Sequence, residues 1–193
     1  MARQSARAAA RTKARQNAAQ NRDANAKKAR NLRGWIESIA EAFLIVLVLF
    51  LLCWPVRIQG ESMEQTFFSG DRVCISRTLS FFGQVKRGDI VMCKIEESGH
   101  TENIIKRIIG IPGDEIVIQD GVVSVNGTDL YETYTDGATE GDLTLTLAKG
   151  MYFVLGDNRA VSIDSRAVGP IPKQDIIGKV IVRYYPFNRI NLY

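Results

Sequence analysis

Fifteen consecutive residues, Ala42 to Val56 (AFLIVLVLFLLCWPV), carry no charge, and this run constrains the chain more than any other feature. A stretch so apolar is a membrane span or the core of a cleaved signal peptide. The helix is expected to begin upstream, which makes 35–56 a single transmembrane helix. Trp35 and Trp54 lie 19 residues apart. At about 1.5 Å per residue this is roughly 28 Å, close to the ~30 Å of a hydrocarbon core held between aromatic anchors. Glu37 and Glu41 share one face of the first turns, and Arg33 stands four residues before Glu37, so the helix is expected to enter through a charge-paired, wet headgroup region. A cleaved leader would leave through small residues. This run leaves through Leu51-Leu52-Cys53-Trp54-Pro55-Val56, so it reads as an uncleaved anchor.

Charge orients it. Residues 1–34 hold ten Lys and Arg against Asp23 alone, and the other fifteen basic and twenty acidic residues leave the remainder mildly acidic. The positive-inside rule then places the N-terminus in the cytoplasm and 57–193 outside, in a single-pass topology. The tail is rich in Ala, Arg, Gln and Asn and buries too little apolar surface to offset chain entropy, so 1–34 is expected to be a solvated basic tail. Because the basicity belongs to the tail, no nucleic-acid partner is expected; the expected partner of the anchor is a lipid bilayer. Of three cysteines, Cys53 falls in the apolar run, which leaves Cys74 and Cys93 either as a bridge or as two small buried hydrophobes. With His100 as the one histidine and no CxxC spacing, a metal site has almost no ligands, and no cofactor is expected.

The portion after the anchor reads as mainly β. Arg72–Ser76 and Ile90–Ile95 are short runs rich in β-branched residues, each introduced by a Gly-Asp turn. Glu115–Gln119 and Val122–Val125 flank Asp120-Gly121, a pair that tolerates the positive φ angles of a type I′ hairpin, and Asn126-Gly127 offers a second such turn. Tyr152–Leu155 and Lys179–Tyr185 are further strands. Residues 131–150 alternate weakly through Leu143, Leu145 and Leu147, as a loop or a poor edge strand. Lys173–Ile177 hints at a short helix.

Three stretches can carry chemistry. Ser62, in Gly60-Glu61-Ser62-Met63-Glu64, lies eight residues beyond Trp54, hence within roughly 29 Å of the end of the apolar run. A serine attacks only when a base takes its proton. His100 sits in the hydrophilic run 96–103, where a lone histidine is ordinarily exposed and idle, which leaves a neutral lysine as the available base. In Asn103–Asp114, alternation puts Lys106 on one strand face with Ile104 and Ile108, and Arg107 on the other with Ile105 and Ile109. A guanidinium never loses its proton in a protein, whereas burial lowers a lysine pKa readily, so Lys106 is the candidate base. The third stretch, 156–166, follows a strand with a dense polar run. It offers Ser162 to orient a lysine amine, and Asp164 with Arg166 as a pair that could fix the loop.

Together these stretches resemble the type I signal peptidase family, the membrane-anchored Ser/Lys endopeptidases. The motifs are Gly-x-Ser-Met-x at 60–64, Lys-Arg-x-Ile-Gly-x-Pro-Gly-Asp at 106–114, and Gly-Asp-Asn-Arg-x-x-Ser-x-Asp-Ser-Arg at 156–166. The resemblance implies an antiparallel-sheet catalytic domain over 57–193, Ser62 as nucleophile and Lys106 as general base. It further implies Ser162 holding the amine, Asp164 and Arg166 as the supporting ion pair, Gly60 and Met63 beside the oxyanion and substrate, and signal peptides of secretory preproteins as substrates. Two positions depart from the pattern. Gln65 stands where the family usually has proline, and Gly60 stands where some members carry a hydroxyl. A catalytically silent, membrane-tethered binding domain is the rival reading from another class.

Overall fold

The computed structural model describes residues 34–47, 53–77, 85–97, 99–135 and 137–193. The chain divides into two units, Met1–Phe50 and Leu51–Tyr193. In the first, residues 34–47 are helical and their large apolar side chains, Trp35, Ile39 and Phe43 among them, are exposed. Among the described residues no helix is long and apolar enough to cross a membrane. The basic tail through residue 33 and residues 48–52 of the apolar run lie outside the described residues.

The far end of the expected anchor is strand, not helix. Trp54–Arg57 forms β1 and pairs antiparallel with β2, Arg72–Ser76. The reason is Pro55, which has no N–H for a helix interior but is tolerated on an edge strand, and β1 is the sheet edge. Trp54 is therefore not the second aromatic anchor of a helix ending at Val56.

The second unit is mainly β and every strand pair in it is antiparallel. The remaining strands of the larger sheet are β3 (Ile90–Glu97), β4 (His100–Gly110), β9 (Met151–Leu155), β10 (Ile171–Pro172), β11 (Ile176–Tyr185) and β12 (Asn191–Leu192). They run in the order β1-β2-β11-β3-β4-β9-β10, with β12 on β11. A smaller sheet, β7-β6-β5-β8, contains β5 (Glu115–Gln119), β6 (Val122–Val125), β7 (Thr128–Asp129) and β8 (Leu143–Thr146). The β5–β6 hairpin turns on Asp120 at φ 51° and Gly121 at φ 81°, both positive as a type I′ turn requires. The weak Leu alternation resolves as strand β8, with Leu147 just beyond it in the core. The expected short helix is one 3₁₀ turn, Lys173–Asp175, because Ile176 already belongs to β11. The hydrophilic run around His100 is the tip of the β3–β4 hairpin, where Glu97 pairs with His100.

Topology also decides the cysteines. β11 lies between β2 and β3, and along it Cys74 faces Val182 while Cys93 faces Ile176, so two strand spacings and six residues of register separate the two cysteines, far beyond disulfide reach. Instead Cys53 pairs with Cys74, at a Cα–Cα distance of 5.4 Å, because β1 brings Pro55 opposite Cys74. Cys93 is free and buried.

Among the described residues three apolar clusters fill the unit. One, around Val91, Cys93, Ile108 and Val154, lies on the Lys106 face of β4, since Val91 is the cross-strand partner of Lys106. A second, around Ile116, Val123 and Phe153, lies between β9 and the smaller sheet. The third, around Met63, Phe67, Val73 and Val180, supports the turn that carries Ser62.

Candidate active site

Ser62 occupies a turn between β1 and β2. The Glu64 N–H donates to the Glu61 carbonyl at 3.0 Å, and the Thr66 and Phe67 N–H groups donate to the Met63 carbonyl at 3.0 and 2.7 Å. Met63 and Phe67 anchor the turn from beneath, both buried in the third cluster, while Ser62 itself is half-buried. Gly60 precedes it with φ 87°, a conformation open to glycine. Gln65 adopts φ 89°, which costs a non-glycine residue on the order of 1–2 kcal/mol and which proline, locked near −65°, cannot reach.

Lys106 lies in β4 and is only 2% exposed. Burial pulls its pKa below the ordinary lysine value; Asp164, Cys93 and Asp157 oppose the shift and Arg166 adds to it. Its face is the apolar one, with Val91 opposite and Ile104 and Ile108 flanking. Cys93, diagonal to Lys106 on the same face, is itself pushed up to about 12 by burial, so the thiol next to the amine stays neutral.

The 156–166 loop meets the Ser62 turn, where the Asn158 N–H reaches the Ser62 carbonyl. Asp164 is fully buried and caps the short helix Ser165–Val168, accepting from the Arg166 N–H at 3.2 Å. Its carboxylate also takes Arg166 Nε at 2.9 Å, Arg166 Nη2 at 3.0 Å and the Gly156 N–H at 3.1 Å. Arg166 Nη2 donates onward to the Arg159 carbonyl at 2.7 Å, so the pair staples the loop. Ser162 Oγ is buried without a hydrogen-bond partner among the described residues. A buried hydroxyl in that state is costly.

The three stretches converge on Gly156. A Cβ there would overlap the Ser162 side chain and come within 2.5 Å of the Ser62 carbonyl, so only glycine lets both approach. The Asn158 N–H fixes that same Ser62 carbonyl at 3.0 Å. On the β4 side, Arg107 pairs in register with Leu155, the residue before Gly156.

One group of residues at the site was not read from the sequence. Arg107 is buried as well, on the opposite face of β4, in a bidentate pair with the fully buried Asp157: Nε to Oδ1 at 2.8 Å and Nη2 to Oδ2 at 2.6 Å. Thr66 Oγ1 donates to the same carboxylate at 2.5 Å and accepts from Arg107 Nη2 at 3.1 Å. This cluster ties β4, the Ser62 turn and the polar loop together. The available signal was Arg107 itself, a guanidinium among isoleucines that needs a buried carboxylate.

Comparison with known proteins places the chain. It belongs to the signal peptidase family, peptidase S26, whose model matches residues 32–185. It is a serine endopeptidase of the signal peptidase I class. It is similar to signal peptidase I P of Bacillus subtilis subsp. natto, with 37% identity over 181 residues, covering 87% of this chain and 97% of that protein. Signal peptidase IB of Staphylococcus aureus is 35% identical over 179 residues, covering 82% and 92%. A crystal structure of a signal peptidase I from Enterococcus faecalis V583 aligns at a TM-score of 0.44 with 31% identity, over 50% of this chain and 96% of that one.

Proposed function

We propose that this protein is a membrane-anchored endopeptidase that removes signal peptides from secretory preproteins through Ser62 and Lys106. The single observation that carries the reading is Lys106. It is a buried lysine with a lowered pKa, on an apolar face of β4, which pairs with β9, the strand that leads into the loop holding the Ser62 carbonyl. Neutral Lys106 takes the Ser62 hydroxyl proton as Oγ attacks the scissile carbonyl, and the ammonium so formed protonates the leaving amine. An acyl-enzyme remains. Water then loses its proton to Lys106 as it attacks the ester carbonyl, and the ammonium returns that proton to Ser62 Oγ as the peptide departs.

The other residues serve this cycle. Ser162 Oγ, buried and without a partner among the described residues, is the acceptor that orients the Lys106 amine. Asp164 and Arg166 hold that loop rigid. Gly60 brings no side chain to the oxyanion, which therefore rests on the Ser62 backbone N–H, and Met63 forms the apolar floor beside it. The substrate adds as a β-strand. Among the described residues β4 has a second strand partner only from Arg107 onward, so its edge just before Lys106 is open to an extended peptide. Small side chains, Ala above all, are expected before the scissile bond.

The anchor is the part of the apolar run before β1, with residues 1–34 in the cytoplasm and the catalytic unit outside. Support for that side comes from the Cys53–Cys74 disulfide, since such bonds persist in oxidising compartments. The test is processing of a precursor with an Ala-x-Ala site by the full chain in lipid vesicles. Wild type cleaves, and Ser62→Ala and Lys106→Ala each leave the precursor intact; near-normal cleavage by either variant would remove that residue from the mechanism.

A further inference from the structure

The segment between β7 and β8 belongs to the smaller sheet, yet it reaches the site by two separate arms. The first runs through Glu132. Its carboxylate takes both ends of the Arg159 guanidinium, Nη2 to Oε1 at 2.6 Å and Nη1 to Oε2 at 2.9 Å. Arg159 is almost wholly buried, and its Nη1 also donates to Thr139 Oγ1 of the same segment. Its Nε donates to the Gly156 carbonyl at 2.9 Å. Gly156 is where the Ser62 carbonyl and the Ser162 hydroxyl meet. Glu132 thus holds, through one guanidinium, the backbone against which both serines are set.

The second arm runs through Tyr134. Its ring lies against the Arg107 guanidinium, 3.9 Å from Cζ to the ring centroid. Arg107 in turn grips Asp157 and Thr66, four residues after Ser62. The two arms are joined, because the Tyr134 hydroxyl donates to Glu132 Oε1 at 2.8 Å. A stacked guanidinium sheds water from the face the ring covers, which strengthens the ion pair beneath it.

We propose that Glu132 and Tyr134 are positioning residues: with Thr139 they brace the catalytic loops from the smaller sheet, one arm on Gly156 through Arg159 and the other on Thr66 through Arg107. The inference rests on the Ser62 and Lys106 reading. Nothing in the brace touches the reacting atoms; its effect is on how well the Ser62 turn and the 156–166 loop hold their mutual alignment. Displacing groups near a reaction centre by about 1 Å costs on the order of a hundredfold in rate, so such a brace matters without any chemistry of its own. The smaller sheet then becomes part of the enzyme's working structure rather than an appendage.

The experiment compares wild type, Ser62→Ala, Glu132→Gln, Tyr134→Leu, Tyr134→Phe and Tyr131→Ala as full chains in lipid vesicles. Each is assayed for kcat and KM on one precursor and for its thermal unfolding midpoint. Tyr131 is the control, since it lies in the same segment but is 93% exposed. Glu132→Gln and Tyr134→Leu are expected to lower kcat about ten- to a hundredfold with KM within about twofold of wild type, because alignment and not binding is lost. Tyr134→Phe keeps the ring on Arg107 and recovers most of the Tyr134→Leu loss, while Tyr131→Ala matches wild type. If Glu132→Gln fails to fold, leaving Arg159 buried and unpaired, the Tyr134→Leu and Tyr134→Phe pair decides. Wild-type kcat in Tyr134→Leu overturns the brace, as does a loss that appears in KM, that follows the unfolded fraction at the assay temperature, or that phenylalanine does not recover. Cleavage by Ser62→Ala would instead overturn the underlying reading, which Ser62→Ala inactive beside a fully active Tyr134→Leu leaves standing.

Discussion

Lys106 and Arg107 are adjacent buried cations on opposite faces of one strand, and their surroundings differ completely. Arg107 meets Asp157 in a bidentate pair, with Thr66 and the Gly88 carbonyl taking further donors, the last at 3.1 Å. Lys106 meets isoleucine, valine and a neutral thiol, and its nearby carboxylates are already engaged, Asp164 by Arg166 and Asp157 by Arg107. The same physics of burial therefore has two outcomes. A guanidinium that cannot deprotonate is supplied with a carboxylate and becomes structure, while an ammonium denied one is pulled toward its neutral form, which is what the proposed role of Lys106 as a base requires.

Exchanging each cation for an apolar side chain of similar length breaks the comparison most directly. Lys106→Met removes the proposed base, and precursor cleavage is expected to fall by roughly 10²- to 10⁴-fold, the usual range for a general acid–base group. Its fold is not weakened, because the wild-type site gains nothing from burying a charge. The linkage has a definite sign. With a folded pKa below the ordinary value near 10.4, the unfolded chain binds the extra proton between the two, so wild-type stability rises with pH across that window. Chemical unfolding at a series of pH values should show that rise in wild type and not in Lys106→Met, and kcat should climb with pH as Lys106 deprotonates. Arg107→Met behaves oppositely. It leaves Asp157 buried and uncompensated and lowers stability by about 3–5 kcal/mol, as measured by urea unfolding. Pairing it with Asp157→Leu should return much of that loss. Equal destabilisation by the two methionine variants would erase the distinction.

A gentler change gives Lys106 what Arg107 has. Cys93→Asp places a carboxylate diagonal to Lys106 on the same face. An opposite charge nearby raises a lysine pKa by about 1–3 units, so cleavage near neutral pH drops by about ten- to a thousandfold and recovers as pH increases. A uniform loss at all pH values would mean that the substitution damages packing instead of titration.

Much of this was legible beforehand, and for identifiable reasons. β2, β5 and β6 have the bounds that β-branched runs and Gly-containing turns foretold, because local turn chemistry there agrees with the final sheet. Alternation assigned Lys106 and Arg107 to opposite faces but could not say which was buried; both are, since β4 has core on each side. Strand order is a non-local property. Inserting β11 between β2 and β3 decided which cysteines could meet, and no spacing in the chain announces it. Pro55 was the overlooked local signal, a helix breaker at the mouth of the apolar run. The Asp157 and Glu132 contacts depend on loops brought together by two sheets, so residue types pointed to them only once the neighbours were in place.

The smallest expected effect concerns the turn that carries Ser62. At φ 89° Gln65 holds a conformation favoured by glycine, while the next residue, Thr66, is bound on both sides: its hydroxyl by Asp157 and Arg107, its carbonyl by Arg183 Nη1 at 2.6 Å. The Arg107 face thus holds the turn in place against local strain. Gln65→Gly should relieve that strain and stabilise the protein by about 1 kcal/mol or less, the gain being offset by the greater chain entropy of glycine when unfolded. Gln65→Pro must pull φ toward −65°, and the turn cannot follow without loosening Thr66 from Asp157. Glycine should leave cleavage near the wild-type rate and proline should lower it several-fold, with the unfolding midpoint falling in parallel. Wild-type activity and stability in Gln65→Pro would show that Thr66 does not hold the turn, and the Arg107 face would then support β4 and the polar loop alone.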